Sequence, residues 1–138
     1  MNKTIDLKGA SSEKLAHEAV KLLLEKKAEN VCLYSVSEYT TVTDYYINAT
    51  GRSTTQVASL ADELADKLAE YGRAPERIEG KRGNTWILVD FADVIVNVFD
   101  RPTREFYDLD RHFGENTKMD ITDLVKEVDR KFEINIKE

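Results

Sequence analysis

Few residue types in this 138-residue chain could do chemistry, and their spacing favours no reaction. His17 and His112 are the only histidines. Neither has a partner at ligand spacing, so a structural zinc site has no basis. Cys32 is the single cysteine; no internal disulfide can form, and its place in the apolar run VCLYSV reads as core rather than nucleophile. Asp108 and Asp110 make an Asp-x-Asp pair, and Asp90 and Asp93 flank a turn. Two-metal chemistry needs carboxylates converging beside a phosphate-binding loop. Residues two apart on a helix point in different directions, and Asp93 is more simply a turn residue. Thr50-Gly51-Arg52-Ser53 has the strand–glycine–helix form that can hold a phosphate on free N–H groups. It lacks the Walker and dinucleotide glycine patterns, and an ordinary helix cap accounts for it. No Ser–His–Asp or Cys–His arrangement is indicated. These residues predict no catalytic centre, no metal and no cofactor.

What remains is the chemistry of contact, concentrated in Thr85 to Leu109, TWILVDFADVIVNVFDRPTREFYDL. Two apolar runs joined at Ala92-Asp93 predict a β-hairpin in which Phe91 pairs with Val94. Side chains alternate between the faces of a strand, and cross-strand partners share a face. One face then carries Ile87, Val89, Phe91, Val94, Val96 and Val98 and must be core. The other carries Trp86, Leu88, Asp90, Ile95, Asn97 and Phe99. That mixture of aromatic anchors with a carboxylate and an amide suits a recognition surface. A helix covering the same face, with its polar groups satisfied inside, fits the pattern equally, and a one-residue slip would exchange the faces.

The elements that must position this hairpin follow from periodicity and caps. A first helix starts at Ser11 or Ser12, with Glu13 in its first turn and a stripe of Leu15, Ala19, Leu22 and Leu23, and ends near Lys27 to Asn30. Strands follow at Val31 to Val36 and Tyr45 to Thr50, with a loop over 40–44. Ser53 opens a second helix, with Gln56 at capping-box spacing and a buried stripe of Val57, Leu60, Ala61, Leu64 and Leu68; Gly72 ends it. Arg77 to Glu79 reads as a short strand and Lys81 to Asn84 as a turn. After the hairpin, Thr103 caps a short helix through Leu109. A last helix runs from Asp120 or Thr122 to Phe132, and Glu133 to Glu138 form a loose tail. The order α-β-β-α-β-β-β-α, with a further C-terminal helix and a helical crossover between the second and third strands, predicts an α/β fold. Its mixed sheet is flanked by helices, in one domain spanning 1–138 with its core in about 11–113.

Composition narrows the class further. Hydrophobic residues make up 41% and charged residues 33%, an ordinary soluble balance. No apolar run approaches membrane-spanning length, and MNKTIDLKGA carries no hydrophobic signal stretch, which leads to an expectation of the cytoplasm and of no membrane partner. The formal net charge is −6, from 20 basic and 26 acidic residues. That balance argues against general nucleic-acid binding, which relies on Lys and Arg neutralising phosphates, and suits a basic partner protein.

An ordered set of residues carries a resemblance. Asp44-Tyr45-Tyr46, Gly51 with Ser53 and Gln56, Glu79-Gly80, Trp86 to Asp90, Val94 to Phe99, then Arg104, Phe106-Tyr107 and Leu109 follow one another as in the bacterial ribosome silencing factors, the Iojap-related family. The chain resembles that family over about Ser11 to Phe113. It departs at Asn97, where the family usually has a histidine; an amide donates and accepts hydrogen bonds but takes no proton charge. It departs again at Val42-Thr43, where a leucine is common.

The resemblance implies a nucleotidyltransferase-like α/β fold without catalytic carboxylates, and therefore not an enzyme. It also implies binding to a ribosomal protein on the joining face of the large ribosomal subunit, steric obstruction of small-subunit association, lowered translation when nutrients are scarce, and in some members a homodimer. On this reading Trp86, Asp90, Asn97 and Phe99, with Arg104 and Tyr107 from the adjoining helix, form much of the docking surface, and Asp44 and Tyr46 lie at its rim. Tyr107 fits either docking or pinning of the short helix, and Leu109 reads as core. A nucleotide-binding transferase built on Gly51 to Ser53, and a homodimeric scaffold, are the competing readings.

Overall fold

The computed structural model describes residues 5–137, with side chains through Phe132. Its elements are α1 (Ser12–Glu25), β1 (Glu29–Ser35), β2 (Tyr45–Gly51), α2 (Thr54–Glu70), β3 (Arg77–Glu79), β4 (Trp86–Asp90), β5 (Val94–Asp100), α3 (Arg101–Tyr107), α4 (Leu109–Phe113), a 3-10 turn at Glu115–Thr117, and α5 (Thr122–Lys137). The caps explain the starts of α1 and α2. Ser11 Oγ accepts the Lys14 N–H at 3.1 Å and Ser53 Oγ accepts the Gln56 N–H at 3.1 Å. Each satisfies a backbone donor that the helix leaves free. Gln56 Oε1 reaches back to the Arg52 N–H at 2.6 Å, one residue earlier than the ideal capping box places it.

The strands form one mixed sheet in the order β1-β2-β5-β4-β3, antiparallel at every junction except the central parallel pair β2–β5. This is the α/β class with helix-flanked mixed sheet that the element order predicts. Within the hairpin, Trp86 pairs with Phe99, Leu88 with Asn97 and Asp90 with Ile95, and the Phe91 N–H bonds the Val94 carbonyl at 2.9 Å. That is the expected register, so the faces fall as the alternation requires. The turn itself is tight: the Asp93 N–H bonds the Phe91 carbonyl at 3.0 Å around Ala92, whose φ is +77°. Asp90 Oδ1 holds the Ala92 N–H at 2.8 Å.

The first face is buried under α1 and α2. Ile87, Val89, Phe91, Val94, Val96 and Val98 are each at most 1% exposed, and they meet Leu15, Ala19 and Leu23 of α1 and Val57, Leu60, Leu64 and Leu68 of α2 in one cluster. Fully burying a side chain of this size contributes about 1.5–3 kcal/mol, so this layer is the main source of stability. α5 lies against α1, joined by Lys21–Glu127 at 2.7 Å and Lys131–Glu25 at 2.9 Å, with Val128 buried between them. No helix among the described residues is long and apolar enough to cross a membrane.

Three local expectations are corrected. α3 begins earlier than predicted: Asp100, not Thr103, is its N-cap, accepting the Thr103 N–H at 3.0 Å, with Pro102 in the first turn. Asp is as good a cap as Thr, and proline suits the first turn of a helix. The short helix does not run unbroken through Leu109, because Asp108 takes a left-handed conformation (φ +52°) that turns the chain into α4. Asp is among the few residues that tolerate it. The predicted loose tail is helical through Lys137, and Glu138 lies outside the described residues.

Backbone conformation makes two opposite predictions. Gly80 has φ +92°, and a Cβ there would lie 2.0 Å from the Trp86 carbonyl oxygen. Gly80→Ala should therefore lose about 2 kcal/mol or more by urea unfolding. Ala92→Gly, which removes the Cβ from a left-handed turn position, should gain about 0.5–1 kcal/mol.

Candidate functional site

The sheet's second face is built from three rows that register imposes across the strands. Tyr34, Tyr46, Ile95, Asp90 and Arg77 form one, and Cys32, Asn48, Asn97, Leu88 and Glu79 the next. Thr50, Phe99 and Trp86 form the third. α3 and α4 fold over the β1–β2 side of these rows. On the β4–β3 side, Leu88 and Asp90 are half-buried and Arg77 and Glu79 are exposed.

The covered side is a polar network around one ion pair. Arg104 is 7% exposed, and its Nε and one terminal nitrogen grip both carboxylate oxygens of Asp110 at 2.9 Å each. The other terminal nitrogen donates to the Asn30 carbonyl at 2.7 Å and to Thr50 Oγ1 at 2.8 Å. This bidentate fork suits arginine and not lysine. Asp110 Oδ1 also accepts Tyr34 Oη at 2.6 Å and Asn48 Nδ2 at 3.1 Å. Asn48 Oδ1 accepts Asn97 Nδ2 at 3.1 Å, and Asn97 Oδ1 accepts the Trp86 indole N–H at 2.9 Å. Burial alone would raise the Asp110 carboxyl. The hydrogen bonds from Arg104, Tyr34 and Asn48, and the Arg104 charge, outweigh it and hold the group far below the usual carboxylate range. Burial and the bond to Asp110 push the Tyr34 phenol well above its ordinary value.

The open side is aromatic and aliphatic. Trp86 is half-buried and leans on Phe99 (ring centroids 5.1 Å apart) and Tyr107 (4.9 Å). Tyr107 is 52% exposed and Phe106 80%, edge to face at 5.0 Å. Leu88 is half-buried between Trp86 and Asp90 on β4. Back on the covered side, Tyr46 stacks on Phe113 of α4 at 4.3 Å with the rings 10° apart. Burial, then the nearby Asp90 charge, raise the Tyr46 phenol.

The fold thus separates the residues that the sequence groups as one docking surface. Trp86 and Tyr107 meet on the open side, whereas Tyr46 stacks under Phe113 of α4 on the covered side and Asp44 is half-buried just before β2. Asn97, Phe99 and Arg104, at 2%, 0% and 7% exposure, lie beneath the surface and support it. The reason is the α3–α4 cover, which the hairpin pattern by itself does not reveal. Asp90 is largely committed within the chain, to the Ala92 N–H of its own hairpin turn and to Arg77 Nε of β3 at 3.1 Å, with 16% of its side chain exposed. Leu109 is half-buried, and Cys32 is buried beside Arg104.

Four participants, Asn48, Tyr34, Asp110 and Phe106, are not among the residues that the sequence assigns to the docking surface. Asn48 and Thr50 alternate with Ile47 and Ala49 in β2, and that period of two marks a polar second face. Asp110 carries no such signal, because its position depends on the break at Asp108. Gly51 to Ser53 shows the geometry of a cap, with the N–H groups of Arg52 and Gln56 already bonded. Among the described residues no cluster of three or more His, Cys, Asp or Glu side chains is placed to hold a metal.

The depressed Asp110 pKa fixes the sign of a pH dependence. A carboxyl whose folded value lies below its unfolded one contributes fully above the unfolded value, about 4, and the contribution is lost as pH falls below it toward the folded value. Asp110→Asn should cost about 2 kcal/mol at neutral pH, since it strands a buried guanidinium at a site that is itself partly open to water. Urea unfolding of the two proteins should show the gap narrowing below about pH 4.

Comparison with known proteins places this geometry. A sequence profile described as "Ribosomal silencing factor during starvation" matches residues 9–137. The chain is 30% identical over 115 residues to a ribosomal silencing factor of Halalkalibacterium halodurans, covering 83% of this chain and 98% of that one. It is 32% identical over 97 residues to the Bacillus subtilis ribosomal silencing factor, covering 70% and 82%. Among solved structures, the crystal structure of a Chromobacterium violaceum protein superposes with a TM-score of 0.73 at 30% identity, over 76% of this chain and 88% of that one. With the profile running through nearly the whole sequence and the fold shared, the chain belongs to the ribosomal silencing factor family.

Proposed function

We propose that this chain represses translation by seating the open side of its sheet on a basic protein at the joining face of the large ribosomal subunit, where its bulk keeps the small subunit away. The observation that carries this is the uncovered aromatic patch of Trp86, Tyr107 and Phe106 on the one sheet face that α1 and α2 leave free. Exposed aromatics clustered on a rigid support are the usual energetic anchors of interfaces. The support here is a registered hairpin braced by the Arg104–Asp110 pair, so little ordering cost falls on binding. A net charge of −6 favours encounter with a basic partner. On this reading the protein is a regulator that acts by occupying space and not an enzyme, and its place of work is the cytoplasm.

A second reading has the same patch as its basis. Phe106 at 80% exposure is costly to leave in water, and a second copy could cover it in the free protein. Light scattering across a dilution series reads this directly: a dimer weakened by Phe106→Ala supports the patch as the contact. The nucleotide-binding alternative rests on Gly51 to Ser53, whose neighbouring donors are engaged within the chain. Nucleoside triphosphates with Mg²⁺ at millimolar concentration should give no rise in Tm, since any ligand bound by the native state would stabilise it.

Co-sedimentation with isolated large subunits tests the main reading. Trp86→Ala and Tyr107→Ala should each weaken binding about tenfold or more, while Tyr39→Ala, an exposed aromatic outside the patch, should leave it unchanged. Wild-type protein that fails to pellet with the large subunit sinks the function. Variants that bind as the parent does sink the assignment of the surface.

A further inference from the structure

We infer that Asn48 and Asn97 are positioning residues for the Trp86 indole, fixing its orientation from the Asp110 carboxylate through a one-way series of hydrogen bonds whose central link is buried. The functional half of this inference rests on the reading of Trp86 as a docking side chain.

The series has only one sense. At its inner end Asp110, gripped by Arg104, is an ionised acceptor with no proton to give. Asn48 must therefore turn its amide nitrogen toward Asp110 (3.1 Å), which leaves its oxygen facing Asn97. Asn97 must in turn present its nitrogen to Asn48 (3.1 Å) and its oxygen to the indole N–H (2.9 Å). Rotating either amide by half a turn would set oxygen against oxygen at one contact and nitrogen against nitrogen at another. Asn48 is 0% exposed and Asn97 2%, so water cannot repair such a mismatch. Bonds aligned in this way also polarise one another.

The consequence for Trp86 is directional. Its contacts with Phe99 and Tyr107 are tilted ring packings, at 32° and 50°, and such packings tolerate sliding. The N–H bond to Asn97 is what selects one tilt among those the rings would allow. The side chain facing solvent on β4 is thereby tied to the contact between α4 and β2, although Asp110 does not touch it.

The chain contains one tryptophan, so its indole gives one N–H resonance and one fluorescence signal with no labelling of other sites. Asn48 does not touch Trp86. Even so, Asn48→Ala should move the indole N–H resonance, hasten its exchange with solvent, and weaken large-subunit binding by about threefold to tenfold. In the Trp86→Phe background, which keeps a ring in the stack but has no N–H, the same substitution should cause no further loss. Should the alanine variant fail to fold, Asn48→Leu keeps the volume and removes both bonds, and the same measurements apply. An indole resonance that stays in place, or binding losses that add fully in the two backgrounds, overturns the positioning role. A Trp86→Ala variant that binds the large subunit normally removes the docking reading instead, and the indole resonance then decides positioning by itself.

Discussion

The buried ion pair between Arg104 and Asp110 is the constraint on which the rest of this structure turns. A guanidinium and a carboxylate taken out of water are costly unless every donor and acceptor is matched. Here Arg104 bonds Asp110, the Asn30 carbonyl and Thr50, while Asp110 also accepts Tyr34 and Asn48. The two residues sit on either side of the left-handed Asp108, so the pair can close only if the chain breaks there. Closing it lays α3 and α4 on one side of the sheet's second face. The pair specifies a geometry more than it adds stability, and the apolar layer under α1 and α2 supplies most of the latter.

That geometry divides one sheet face into two kinds of surface. Beneath α3 and α4 the rows of Cys32, Asn48 and Asn97 and of Tyr34 and Tyr46 are sealed with polar matching or ring stacking. Past Trp86 the cover stops, and Leu88, Tyr107 and Phe106 stand at or near solvent. On the proposed reading a rigid face is offered to another body, and a sheet half covered by its own helices is such a face. The exposed aromatics gain their fixed positions from the buried residues beside them. Asn97, Phe99 and Arg104 lie beneath this surface and are not part of it.

Much of this was legible in the sequence. The two-residue turn at Ala92-Asp93 and the alternation on both sides of it set the hairpin register, because a one-residue slip would have put Val96 and Val98 on the other face. Serine caps and leucine stripes set α1 and α2 for equally local reasons. The candidate site was legible in its chemistry, a tryptophan, a tyrosine and polar companions on the second face, but not in its depth. Period-two patterning says which side chains share a face and nothing about what lies over it.

Local pattern along the chain thus specified α1, α2, the five strands, the hairpin register, the buried first face and, through an ordered set of residues, the family. Those properties depend on neighbours along the chain or on strict alternation, which any segment carries with it. Which half of the second face is open was settled by long-range packing. That outcome depends on Asp110 meeting Arg104, Tyr34 and Asn48, partners six, 76 and 62 residues away, through a chain reversal at Asp108 that no local propensity enforces. Side chains so far apart in sequence become neighbours only when the strands are already in register, and their matching hydrogen bonds then select the one closure that leaves no buried charge alone.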